Sequence, residues 1–203
     1  MRRREIFGLG RGKMGFTPYS GLGLLSAAVR HKTFVSYYHN ADQVYRDAFE
    51  RAFGHLFISK SVKPGDISTD VGTDYIKRLI LEGYITDASV LVVLVGSKTW
   101  CRKHVDWEIS AGLNKKVGGY SGLLGILLPT FPLQPGDRYN YDDLPGRLAD
   151  NAKTGYADIY TWNWITSSEQ NVKTAIQTAF DARVGRASKI DNSRLQLGRN
   201  LCD

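Results

Sequence analysis

The feature that most constrains this chain is Ser89–Val95 (SVLVVLV), in which six apolar side chains follow one another without a break. A strand with one wet face alternates apolar and polar residues, so a strand apolar at every position is covered on both faces. Such double cover belongs to a parallel sheet, whose neighbouring strands are joined by crossovers that lie across its faces. Leu123–Leu128 (LLGILL) shows the same pattern and is stopped by Pro129.

Around these two runs the sequence alternates between strand and helix. Thr33–Tyr38 (TFVSYY) and Leu56–Val62 (LFISKSV) read as strands, and a last aromatic strand falls within Tyr156–Ile165. Asp42–Phe53 reads as a helix carrying Val44, Ala48 and Ala52 with neighbours Tyr45, Phe49 and Phe53, capped by Asn40 or Asp42. A second helix places Ile76, Leu79, Ile80 and Tyr84 on one face. A third runs from about Arg102 to Lys116, with Val105, Ile109, Leu113 and the aliphatic stem of Lys116 inward. The last, Glu169–Val184, turns Val172, Ile176, Ala179 and Phe180 inward. Residues 129–155 hold four of the six prolines and read as an irregular surface excursion. The fold class is therefore α/β, a three-layer, flavodoxin-like domain with a central five-stranded parallel sheet. In such sheets ligands sit beyond the carboxyl ends of the strands, at the point where strand order reverses. That rule directs attention to Tyr37–Asn40, Lys63–Gly72 and Gly96–Trp100.

The chain has 203 residues and a formal net charge of +7, which taken whole invites a nucleic-acid reading. Resolved along the sequence, residues 1–32 carry +6 and residues 183–203 carry +3, leaving the body at −2. The division expected is a flexible, basic, Gly-rich extension at 1–30, a domain at 31–184 and a basic tail at 185–203. Nucleic acid is thus not the expected partner. No run approaches the roughly 20 apolar residues of a membrane span. Cys101 and Cys202 make neither a disulfide framework nor a zinc spacing, so no metal is expected and a reducing, cytoplasmic setting fits.

Several chemistries fail on their motifs. Gly8–Lys13 is glycine-rich, but no strand precedes it and no helix follows, and no GxxxxGK[ST] loop occurs. A phospho-acceptor site would need acids at the ends of the first and third strands, where Tyr-Tyr-His-Asn and Gly-Ser-Lys stand instead. There is no G-x-S-x-G elbow, and Cys101 beside Arg102, Lys103 and His104 is a weak case for a nucleophilic thiol. The acid of interest is Glu108, between Trp107 and Ile109 on the helix after the central strand. A carboxylate near indoles at a switch-point cleft could be desolvated and poised against a sugar. On spacing alone, a solvated glutamate on a helix face is the better reading, and Asp106 is the more exposed of the two acids.

Thr33–His39 with Asp42, Ile76–Ile80, and Ser89–Val95 followed by Gly96-Ser97-Lys98-Thr99 and Val105-Asp106-Trp107-Glu108-Ile109 resemble a bacterial TIR-like domain. Specifically, they are similar to the TIR-like family of Thoeris anti-phage defence proteins, over about residues 31–128. The resemblance implies an enzyme that consumes NAD⁺ as substrate, needs no further cofactor, and uses Glu108 as its catalytic carboxylate. It implies a cyclic ADP-ribose-type product read by a separate effector protein, with self-association or a phage-derived activator switching the enzyme on. It also implies substrate contacts from Tyr37 or Tyr38, His39, Asp42, Ser97, Trp100 and Trp107. Strand alternation lets only one of the two tyrosines face the cleft, and Trp107 either lines the pocket or fills the core. The alternative is a non-catalytic TIR-like interaction module.

Overall fold

The computed structural model describes residues 29–60 and 85–202. Five strands form one sheet in the order β2-β1-β3-β4-β5, every neighbouring pair parallel. They are β1 (Lys32–Ser36), β2 (Ile58–Ser59), β3 (Val90–Val95), β4 (Gly122–Leu127) and β5 (Asp158–Thr161). This is the flavodoxin-like order, and its reversal point lies between β1 and β3. The uniformly apolar run is the middle strand, with all six of its residues buried.

Period-2 alternation divides β3 between two cores. Leu91, Val93 and Val95 pack with Phe34 of β1 against Val105, Ile109 and Leu113 of α2 (Lys103–Leu113), and Leu148 of α3 (Gly146–Lys153) joins them. Val90, Val92 and Leu94 face the other way, with Phe49 and Phe53 of α1 (His39–Phe53). Val172, Ile176 and Ala179 of α5 (Glu169–Gly185) complete that second layer, and the short α4 (Trp162–Thr166) precedes it. Gly122 lets α5 lie directly on β4, because a Cβ there would stand 1.8 Å from the carbonyl oxygen of Ala179.

Several expectations are corrected. Helix α1 begins at His39, no side chain caps it, and Asp42 is buried inside its first turn. Its inward stripe is Asp42, Arg46, Phe49 and Phe53, while Val44 is exposed. Aromatic bulk decides this, since Phe49 stacks on Phe57 and Tyr45 meets Trp162 edge-on. The excursion at 129–155 contains α3, whose Leu148 and Arg147 are fully buried. Lys116 lies beyond α2, and its ammonium rather than its stem is enclosed, donating to the carbonyls of Ile85 and Ala88 and to Ser121 Oγ. Of the predicted second strand only Ile58–Ser59 is paired within the described residues. The helix bearing Ile76, Leu79, Ile80 and Tyr84, the loop Lys63–Gly72 and nearly all of the N-terminal extension lie outside the described residues.

Residues 190–202 are packed rather than free. Arg147, fully buried, donates from Nε to Asp106 Oδ1 at 3.0 Å, from Nη1 to Asn192 Oδ1 at 2.6 Å and from Nη2 to the Arg194 carbonyl at 2.7 Å. Asp106 Oδ2 accepts from the Leu197 amide at 2.9 Å. Asp106 is therefore buried, contrary to the exposure expected of it, because its partner comes from α3, 41 positions away. Cys101 and Cys202 are joined as a disulfide, contrary to the reading of two unconnected cysteines. The backbone bond from Leu201 N to Cys101 O, at 2.9 Å, brings the two together.

Candidate functional site

The carboxyl ends of β1 and β3 gather the side chains that matter. Ser36 is the last residue of β1 and, two positions from Phe34, points to the same face, toward α2. Helix α2 presents Val105, Glu108 and Gly112 at successive i+3 and i+4 steps, so Glu108 faces the sheet with the apolar residues. Every residue from Val105 to Leu113 is buried, since the C-terminal segment covers the outer side of this helix. Glu108 is only 5% exposed, and its Oε2 accepts a short hydrogen bond from Ser36 Oγ. Desolvation pushes its carboxyl up to about 8, with Ser36 opposing the shift. The solvated helix-face reading of Glu108 is thereby excluded.

Asp42 reaches the same crest from α1. Its Oδ2 accepts from Thr99 Oγ1 at 3.1 Å, and Thr99 Oγ1 lies 2.8 Å from the Gly96 amide. Only glycine fits at 96, because a Cβ there would stand 2.4 Å from Asp42 Oδ1. Burial raises the pKa of Asp42, and the Thr99 hydrogen bond lowers it. Two carboxyl groups with raised pKa thus flank the reversal point of the sheet.

Aromatic and imidazole rings surround them. Tyr37 is buried, donates to Gln43 Oε1 at 2.6 Å and stacks on His39 with centroids 4.4 Å apart. His39 is exposed and meets His104 edge-on at 5.4 Å. His104 lies 3.2 Å from the Tyr37 carbonyl through Nε2, which must therefore carry the proton. Burial takes its pKa down to about 4, so the ring is neutral near pH 7. Tyr38 is half-buried beneath the Arg102 guanidinium, 3.8 Å from its ring centroid. Tyr37 is thus a core residue and Tyr38 stands at the mouth.

Of the remaining predicted residues, Ser97 is exposed and Trp100 half-buried in the loop after β3. Trp107 is buried and committed elsewhere, donating from Nε1 to the Leu197 carbonyl at 2.9 Å. Cys101 is tied in the disulfide and offers no thiolate. Sequence reasoning missed Ser36, Thr99, Arg102, His104 and Arg147. Ser36 carried a readable signal, a hydroxyl closing an otherwise apolar strand on the face of the helix that bears Glu108. Among the described residues, no group of three or more His, Cys, Asp or Glu side chains is arranged to hold a metal ion. Nor is any helix there long and apolar enough to cross a membrane.

Fold and site together define a flavodoxin-like α/β domain with a buried, proton-holding carboxyl at the switch point. Residues 34–131 match the family described as Thoeris protein ThsB, TIR-like domain. That match points to anti-phage defence as the setting in which the domain works. A comparison with curated proteins finds no match.

Proposed function

We propose that the chain cleaves the nicotinamide–ribose bond of NAD⁺ with Glu108 as catalytic carboxylate, in the manner of TIR-like domains that are NAD⁺ hydrolases. We further propose that the ADP-ribosyl group closes into a cyclic ADP-ribose-type signal, read by a separate effector. The observation that carries this reading is a glutamate buried at the switch point, held by Ser36 and raised to about 8. With the site empty, Glu108 is largely neutral at pH 7. A cationic nicotinamide ribosyl group beside it favours the ionised form, so binding draws the proton off.

When the C1′–N bond breaks, its electron pair goes to the nicotinamide nitrogen, which leaves neutral without a general acid. The positive charge moves to C1′ and the ring oxygen of the ribose. An ionised Glu108 in a desolvated pocket stabilises that oxocarbenium-like state more than bulk water does. His104, being neutral, adds no competing positive charge. Capture by water yields ADP-ribose and a proton; capture by a nucleophile of the same molecule yields the cyclic product and a proton. Asp42 is a second carboxyl available to the ribose hydroxyls or to the incoming nucleophile.

The purified chain, incubated with NAD⁺ with and without an assembly or phage-derived trigger, is expected to release nicotinamide. Glu108→Gln is expected to lose at least a hundredfold in rate. Equal release by wild type and variant in every activated condition would overturn the reading. Intact defence by Glu108→Gln in phage-challenged cells would favour a non-catalytic interaction module instead.

A further inference from the structure

At the opposite, amino-terminal end of the sheet, a cavity of about 300 Å³ opens between the segment leading into β3, the turn before β4 and the end of α5. Asp87, Ser89, Lys116, Gly118 and Arg183 line it. Lys116 gives hydrogen bonds to three neutral oxygens, so its charge is solvated by dipoles but not neutralised. Arg183 makes no ion pair among the described residues, and its Nε is buried without a hydrogen-bond partner. Its guanidinium carbon lies over the Phe180 ring, 4.2 Å from the centroid, and Phe180 in turn stacks on His31 at 3.8 Å. The carboxylate at the rim, Asp87, is already shared by Lys32 at 2.5 Å and Lys60 at 2.6 Å.

Lys32 and Lys60 thus take up the one carboxylate at the rim, and Lys116 and Arg183 line the cavity with no ion pair among the described residues. The planar fork of a guanidinium suits bidentate recognition of a tetrahedral oxyanion. Two cations sharing one cavity repel each other, and Arg183 contributes to lowering Lys116 after the larger effect of burial. An anion between them removes that repulsion. A single carboxylate would leave the rim positive and most of the cavity empty. We propose that this cavity binds a phosphate-bearing anion of two or more charges, a diphosphate group being the best fit, through Arg183. The site is remote from Glu108 and independent of the NAD⁺ reading.

The test is titration of inorganic diphosphate, ADP and, as control, sodium acetate into the full chain at constant ionic strength, followed by calorimetry and thermal melting. Wild type is expected to bind inorganic diphosphate saturably and to melt at higher temperature with it. Arg183→Gln should bind at least about tenfold more weakly, and Arg183→Lys, which keeps the charge but not the fork, should also bind more weakly than wild type. Tighter binding of ADP than of inorganic diphosphate would identify a nucleotide as the source of the group. Without diphosphate, both variants should melt as wild type does. Absence of saturable binding, an equal response to acetate, or wild-type affinity in Arg183→Lys would overturn the proposal, the last even if Arg183→Gln fails to fold.

Discussion

Asp106 and Glu108 stand two positions apart on one helix and are buried for opposite reasons. Glu108 meets a hydroxyl and holds its proton; Asp106 meets the Arg147 guanidinium and the Leu197 amide. The carboxyl of Glu108 titrates near 8 in the folded chain and near 4.5 when exposed. The native state therefore binds a proton that the unfolded state has released, and stability falls as pH rises between those values. Glu108→Gln should flatten that slope and match or exceed wild type in thermal midpoint at pH 8.5, measured by circular dichroism. The proposed NAD⁺ cleavage runs the other way, since in it only the carboxylate stabilises the cation: kcat/KM should rise roughly tenfold or more from pH 6.5 to 8.5. Ser36→Ala removes the donor that opposes the shift and should move this profile to higher pH. For Asp106, substitution by alanine strands a fully buried arginine, at a cost of about 3–5 kcal/mol in unfolding free energy measured by denaturant titration. Both acids would score as essential in an activity assay, and melting temperature separates them.

At the level of elements, the sheet depends on close approach of helix to strand. Gly122→Ala should force α5 off β4 and cost about 1–3 kcal/mol or more, read as a lower denaturation midpoint. How much was legible in the sequence follows from the same physics. β3 could be read directly because double-sided burial leaves no polar residue in the strand, and the five-strand order followed from it. Glu108 could be singled out by position, yet its burial could not, because the cover over α2 comes from residues 190–202, which show no periodicity. Helix α3 was missed because GRLADNAK begins with glycine and contains Asp and Asn, all weak helix formers. What stabilises it is tertiary: Leu148 in the core and the polar bonds of Arg147 and Asn151. Asp42 was read as a cap because acids near a helix start usually are. Only the missing Cβ at Gly96 makes room for its inward turn.

Across the whole molecule, the helix that bears Glu108 is braced from behind by the C-terminal segment. The Cys101–Cys202 bond spans 101 positions and joins this segment to the loop entering α2. Closing a loop of that length stabilises the fold by about 4–5 kcal/mol in the chain-entropy account. Protein isolated under oxidising conditions should show no reactive thiol, and reduction should lower its melting temperature by on the order of 10 °C. Persistence of the melting temperature in dithiothreitol would show that hydrogen bonds alone hold the segment. The buried arginine of α3 carries a consequence for synthesis. Its acceptors at Asn192 and Arg194, and the amide of Leu197 that completes Asp106, are made 45 to 50 residues later than Arg147 itself. Until they emerge from the ribosome, the pocket around Arg147 lacks the oxygens that make an internal cation tolerable. A growing chain can assemble β1, β3 and β4 early, but the helix bearing Glu108 settles only when residues 192–197 arrive. Translation itself thus keeps the helix that bears Glu108 unfinished until residues 192–197 have been made.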